Sequence, residues 1–420
     1  MCIFARCLWV WENVATIPEL FVPSSQRSMP IIPALAIVFS LLTLTTLGFY
    51  GVGLWFTLRF FRRNRPSANS NANSNANSNG LPVSILIPVR GIDEGAVENW
   101  TSFCQQHYPT YEVLFGVMDP TDPAVPLLQK ITEQFPDRSR LLTDLPPRGI
   151  NHQISNLSYL VEAARYDTVI FADSDIRVTA SYLERVTEPL CDPRIGLVTC
   201  AYVDHHPRYP GAALAALGRS LDFIPSVLIA RAMDGGLKFA LGPTIVLRRS
   251  VLTQFGGLEP VLNRIGSDFH LGRLTVQTGY GVELSTYLLN NDCGEETPSQ
   301  VFQRELRWSR TIRWNRGAQY YGLVFTHGMV YAPLLILITG FQPWAIGLGI
   351  AIVILRLLQS YLILSALNLP GLKPWLWLIP LRDWMTFAVW IRGSYGRQIF
   401  WRGRWLQVSG QGLLQEKKLD

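Results

Sequence analysis

YDTVIFADSDIRV, residues 166–178, opens on an uninterrupted apolar run at 169–172 and ends it on two carboxylates, Asp173 and Asp175, one residue apart. Apolar residues in sequence, without alternation, mark a strand covered on both faces. Similar runs recur as VSILIPV, YEVLFGVM, IGLVTCAYV, FALGPTIVL and YGVELSTYLL, with stretches of helical length between the first of them. That order predicts an α/β layered domain with a mostly parallel central sheet. In such sheets ligands bind beyond the carboxyl ends of the strands. Asp93 follows VSILIPVRGI and Asp119 ends YEVLFGVMD, so three strands deliver carboxylates to one edge. A D-x-D alone is most often a solvated turn. Here it ends an uncharged strand in line with two other acids, which favours a hard cation, Mg²⁺ or Mn²⁺, shared by the pair or held by one while the other takes a ribose hydroxyl.

The 420 residues are 48% hydrophobic and carry a net charge of +6. A mean hydropathy of +0.17 is too apolar for an ordinary soluble enzyme. The excess lies in long uncharged runs near the two ends. Residues 31–58 hold no charge, enough to cross a bilayer as a transmembrane helix, which takes about 20 residues. Arg59, Arg62, Arg63 and Arg65 follow, which places that end in the cytosol by the positive-inside rule. Of the 37 basic residues five are lysine and the other 32 arginine. Arginine suits phosphate and headgroup contacts, though a GC-rich genome gives the same bias. The six cysteines show no metal spacing and read as scattered reduced thiols. Nothing points to a nucleic-acid partner.

The expected organisation is an N-terminal extension (1–30, with Met29 as a plausible start), a transmembrane helix (31–58) and a basic, Asn/Ser-rich linker (59–80). A catalytic α/β domain (81–320), C-terminal membrane segments (321–392) and a basic cytosolic tail (393–420) follow. Within the linker, PSANSNANSNANSNG has nothing to bury and reads as a tether. Residues 322–339 and 345–367 read as two spans. Residues 374–391 hold Arg382 and Asp383 mid-stretch, and the tail after them is basic. That stretch is therefore expected to lie in the interface or to re-enter.

Asp268, in IGSDFHLGRLTVQTG, falls where a helix should open. It is either a helix-terminal carboxylate or a general base that takes a proton from an acceptor hydroxyl. Arg304, Arg307 and Trp308 share one helical face of QRELRWSRTIRWNR. They suit a diphosphate and an acceptor wall, or an interfacial amphipathic helix. Residues 210–233 read as a core or membrane-resting helix, and His205–His206 as loop residues.

Together PVRGIDEG, QHYPTYEVLFGVMDPTDPA, GINHQISNL, FADSDIRV, GPTIVLRRSVL, GSDFHLGRL, RELRW and WRGRW, in this order, resemble the ceramide glucosyltransferase family. These are inverting lipid glycosyltransferases of the nucleotide-diphosphosugar (GT-A) fold. The likeness covers residues 81–412. It implies that Asp93 and Asp119 hold the uridine, with Asn151 and Gln153 also on the donor side. Asp173 and Asp175 would manage the UDP diphosphate through a divalent cation, and Asp268 would be the catalytic base. Arg304, Arg307 and Trp308 would close over donor and acceptor. Two positions depart from the family pattern: Gln153 stands where lysine is usual, and Ser267 where an acid commonly precedes the base.

The expected function is transfer of one sugar, glucose first, from a UDP-sugar to a lipid hydroxyl. The enzyme would be an integral, multi-pass membrane protein with its catalytic domain in the cytosol. Alternatives are N-acetylglucosamine transfer to a hopanoid or diacylglycerol, a processive polysaccharide synthase, and a non-enzymatic UDP-sugar-binding scaffold.

Overall fold

The computed structural model describes residues 31–63, 80–291, 294–401 and 403–416. The expected extension (1–30), most of the Asn/Ser-rich tether, Cys293, Lys417 and Lys418 lie outside the described residues.

Seven strands form the central sheet: β1 (Val83–Val89), β2 (Tyr111–Val117), β3 (Ser139–Leu142), β4 (Thr168–Ala172), β5 (Ile195–Val203), β6 (Thr244–Arg248) and β7 (Gly281–Asn290). Their order is β3-β2-β1-β4-β6-β5-β7. Only β6 runs against its neighbours, pairing antiparallel with both β4 and β5. Alternate residues feed two cores. Ile85, Val113 and Ile170 enter one, while Leu86, Leu114 and Phe171 enter the other, all at most 3% exposed. Burial on both faces is why these strands lack an alternating polar pattern.

Reversal of β6 has a consequence for the site. Its starting end lies beside the finishing end of β4, with Ala172 paired to Thr244. The Asp173 amide donates to the Pro243 carbonyl at 3.1 Å. The loop entering β6 is thereby fixed at the carboxyl edge, next to the two aspartates.

The helices that bear on function are α1 (Ile31–Arg63), α2 (His152–Ala163), α3 (Pro210–Gly218), α4 (Ile224–Met233), α5 (Ser267–Gln277), α6 (Pro298–Arg316), α7 (Gly328–Ile338), α8 (Pro343–Ala366) and α9 (Ile379–Gly393). The 33 residues of α1 span about 50 Å at 1.5 Å per residue, more than the roughly 30 Å hydrocarbon core. Its polarity is inverted relative to a soluble helix. Thr43, Thr46 and Thr57 are fully buried, whereas Ile31, Leu35, Val38 and Leu41 face outward. Each buried threonine bonds a carbonyl one turn back, so it carries no unmet polar group inward. Helix α1 packs against α7, α8 and α4.

Among the described residues three helices are long and apolar enough to cross a membrane: Ile31–Arg62, Pro210–Met233 and Pro343–Ala366. Pro210–Met233 is mostly buried within the protein and is broken by a π-helical turn at Arg219–Phe223. The expected span at 322–339 is not one straight helix. A 3₁₀ stretch ends at Thr326, the chain bends by 54°, and α7 then runs only 11 residues. At about 16 Å, α7 alone is half a bilayer.

Stretch 374–391 is not among those three helices: a 3₁₀ stretch ends at Leu378, and α9 after it runs only 15 residues. Within α9, Arg382 and Asp383 are 5% and 6% exposed and join a buried ionic network. Arg356 on α8 bonds Asp383 at 2.8 Å and Asp222 at 2.7 Å. Arg382 bonds Glu305 on α6 at 2.6 Å. The network ties α8 and α9 to the π turn and to α6. The segment expected as a tail also differs. Strands β8 (Gln398–Trp401), β9 (Arg404–Val408) and β10 (Leu414–Glu416) form an antiparallel sheet. Ile399, Leu406, Val408 and Leu414 pack on Ile265, giving the sheet a small core of its own.

Candidate active site

Asp173 and Asp175 leave β4 half-buried and line one wall of a large cleft. Asn151 caps α2, accepting the Ile154 amide at 3.2 Å, and its own amide bonds the Arg264 carbonyl at 3.1 Å. This fixes the first turn of α2, from which Gln153 Nε2 donates to Asp173 Oδ1 at 2.8 Å. The departure from lysine therefore sits on the D-x-D pair itself, with a neutral donor in place of a charge.

Asp268 enters the cleft from the first turn of α5, where backbone amides favour an anion. Burial pushes its carboxyl above the ordinary aspartate range. The amides of Phe269, Asp268 and Gly242, together with the Arg307 charge, oppose that rise. A carboxylate so raised is better matched to taking a hydroxyl proton. Gly242 belongs to the loop that enters β6, and a Cβ there would lie 3.4 Å from Asp268 Oδ2. Gly266, at φ 63°, lies two residues before Asp268; a Cβ there would meet Asn315 of α6 at 2.4 Å. The missing side chain lets α6 close on the start of α5.

Helix α6 opens on a Thr297/Gln300 capping box and carries the remaining expected residues. Arg304 pairs with Glu296 at 2.6 Å and lies 5.3 Å over the Trp308 ring. Arg307 lies 5.8 Å over the Trp401 ring, so β8 covers α6. Arg310 donates to the Gln398 carbonyl and Arg313 to those of Ser394 and Gly396, anchoring the small sheet. Trp401, Arg404 and Trp405 line the cleft. The WRGRW string contributes to the resemblance, but nothing in its sequence assigns it this position.

The cleft brings together Asp119, Asn151, Gln153, Asp173, Asp175, Asp268, Arg304, Arg307 and Trp308. Asp119 is exposed, and the Thr121 hydroxyl and amide hold its carboxyl below the ordinary range. Asp93 is exposed on the turn before helix Ala96–Cys104 and is not part of the cleft wall. Asp122 is the acid that ties the β1 and β2 loops, accepting the Gly91 amide at 2.9 Å and the Ala124 amide at 2.9 Å. The spacing in DPTDPA carries that acid, but only the fold shows which of the two aspartates bridges the loops. Beside them His152 is held below its ordinary pKa by burial and then by Arg404 and Arg90, so positive charge gathers at this end.

No group of three or more His, Cys, Asp or Glu side chains is poised around one point among the described residues. An all-protein metal cage is thus not what the residues offer. Two carboxylates at one strand end do fit a Mg²⁺-type ion, which takes one or two carboxylates and completes its shell with phosphate oxygens and water. Asp173 and Asp175 are the residues that would hold it.

The cleft encloses about 2350 Å³, well beyond the roughly 300–1,000 Å³ of a typical small-molecule pocket. It reaches from the aspartates to Thr45, Gly48, Phe49 and Val52 of α1. The sequence model described as Glycosyl transferase family 21 matches residues 31–414, α1 and the small sheet included. The chain belongs to glycosyl transferase family 21. As a family 21 member it is a glycosyltransferase, and its fold is the α/β layer with a mostly parallel sheet that the apolar runs predict. Ceramide glucosyltransferase 1 of Caenorhabditis elegans is 22% identical over 80% of this chain and 73% of its own length. A ceramide glucosyltransferase of Gibberella zeae is 30% identical over 33% of this chain and 30% of its own length. Among solved structures, the mannosyltransferase PcManGT of Pyrobaculum calidifontis, in complex with GDP-Man and Mn²⁺, is 18% identical. It covers 86% of this chain and 97% of its own, with a TM-score of 0.48.

Proposed function

We propose that this family 21 enzyme moves one hexose, glucose first, from a UDP-sugar to the hydroxyl of a membrane lipid of the ceramide type, with inversion. One observation carries the reading: a single cleft joins the Asp173/Asp175 pair and Asp268 to the flank of the membrane helix α1. A donor bound at the strand ends and an acceptor entering from the bilayer meet at Asp268.

Asp268 takes the proton of the lipid hydroxyl. The hydroxyl oxygen bonds to the sugar C1 as the C1–oxygen bond to UDP breaks, and the electron pair leaves with the diphosphate. Arg304 and Arg307 stabilise that developing charge from above. Asp173 and Asp175 would hold a divalent cation, which would supply further charge neutralisation at the diphosphate. Asp119, Asn151 and Gln153 hold the donor side, and Trp308 walls the acceptor. Arg59, Arg62 and Arg63 at the end of α1 orient the catalytic domain to the cytosol.

The test incubates membranes containing the protein with labelled UDP-glucose or UDP-N-acetylglucosamine and Mg²⁺ or Mn²⁺. Ceramide, diacylglycerol and a bacterial lipid extract serve as acceptors, with mass spectrometry as the readout. The expected product is a lipid bearing one hexose, absent from an Asp173→Ala/Asp175→Ala variant. Polymer in place of a one-sugar lipid, or UDP binding with no lipid product, overturns the reading.

A further inference from the structure

The cleft holds polar groups that the chemistry at Asp268 does not use. On its wall lie His327, at the bend before α7, and Trp390 of α9. His327 is 3% exposed, and its Nε2 has no hydrogen-bond partner among the described residues. The buried Nε1 of Trp390 also has none among the described residues. The two rings lie 5.3 Å apart, and Phe387 lies 5.2 Å from His327. Thr386, one helical turn from Trp390, lines the same wall and reaches Asp222 at 3.4 Å.

Buried polar atoms are rarely left unmet, and each one left so is costly. Two of them on the wall of one cleft point to a ligand that meets them. An indole N–H only donates, so the ligand atom opposite must accept. His327 Nε2 can donate as well, in one of its tautomers. Phe387 and the Trp390 ring flank His327 and Asp222 of the ionic network adjoins it, while the same cleft runs on to Phe49 and Val52 of α1. A neutral acceptor atom suits this place, since an anion would meet the Asp222 carboxylate, and a neutral acceptor that reaches the flank of an apolar helix describes a carbonyl oxygen of an acyl chain.

We propose that His327 and Trp390 form a second subsite that takes the acyl carbonyl oxygen of the lipid acceptor, an amide or an ester. This rests on the lipid-transfer reading above and deepens it. The hydroxyl is presented to Asp268 while the carbonyl is gripped on the membrane side. Lipids with a hydroxyl but no acyl carbonyl, such as polyol terpenoids and ether lipids, lose this grip.

The experiment measures transfer to whichever lipid is found to turn over, in mixed micelles, with two competitors of matched chain length. One is a diacylglycerol and the other its dialkyl ether, which differ in the carbonyls. The wild type is expected to be inhibited at about five- to tenfold lower mole fraction by the ester, the size of one or two net hydrogen bonds. His327→Phe and Trp390→Phe keep aromatic packing and should bring the ratio close to one. Inhibition by the ether and the KM for UDP-sugar should stay unchanged. Equal inhibition of the wild type by both lipids, or an equal loss for both in the variants, overturns the subsite. Absence of transfer to any lipid by the wild type is a different result, and it removes the parent reading together with the subsite.

Discussion

Arg382 on α9 donates to Glu305 on α6 at 2.6 Å, so the helix that carries Arg304, Arg307 and Trp308 is tied to α9. Arg382 also lies 3.5 Å from Asp222, itself bonded to Arg356 of α8. The pair is buried, with each side chain at most 10% exposed. Removing one partner of a buried pair typically costs about 3–5 kcal/mol, because the other charge is stranded. Arg382→Met should therefore lower kcat for transfer by tenfold or more through displacement of α6. UDP affinity, set at the strand ends, should hold. Arg382→Met with Glu305→Met should recover part of the loss, as coupled neighbours do. Kinetics of the single and double variants check this, and purely additive losses would refute the coupling.

The bond from Gln153 to Asp173 makes a second expectation. A lysine at position 153 would place a full charge where a neutral amide now donates. Charged hydrogen bonds are roughly twice as strong as neutral ones. Gln153→Lys should lower the KM for UDP-sugar several-fold and flatten the dependence of rate on Mg²⁺ or Mn²⁺. Titration of both cations against wild type and variant reads it out.

Asp268 must be ionised to act as a base. Because burial raises its pKa, activity should fall on acidification at a higher pH than an ordinary aspartate would give. The Arg307 charge holds that pKa down. Arg307→Gln should therefore move the acid limb of the kcat profile to still higher pH, besides lowering its plateau. Asp268→Asn should lose about 10²–10⁴ in rate while UDP binding persists. An acid limb that stays fixed in Arg307→Gln would show that another group titrates.

Trp401 covers Arg307 at 5.8 Å from a strand near the end of the described chain. A cation–π contact of this sort is worth about 0.5–2 kcal/mol. Trp401→Ala should lower kcat/KM by roughly three- to thirtyfold on that scale, with membrane association unchanged. Comparing transfer rates in normalised membrane fractions checks both halves of the statement.

The continuous apolar runs made most of the sheet legible in sequence, because strands buried on both faces need little else. VSILIPV and IGLVTCAYV became β1 and β5 residue for residue. SRLL at β3 is too short and polar to announce itself. The FALGP half of FALGPTIVL is loop: Gly242 lies against Asp268, and the Pro243 carbonyl accepts the Asp173 amide. The carboxylates at strand ends were readable because each follows an apolar run. The contacts of Asp222, His327 and Arg382 were not, because their partners are distant in sequence and the stretches around them signal only core or membrane; Trp401 lies in a stretch that composition marks only as a basic tail, far in sequence from Arg307. Residues 322–339 show the limit of composition. Apolar content is satisfied equally by one straight span and by a bent pair, and packing chooses between them.

The cleft is walled by α1, the first described helix, and by β8 and β9, among the last described strands. This ordering sets a clock on biosynthesis. The aspartates and Asp268 emerge from the ribosome long before Trp401 and Arg404, and α6, α8 and α9 of the ionic network are made in between. Until β8 and β9 arrive, a nascent chain lacks Trp401, Arg404 and Trp405, and with them one wall of the cleft.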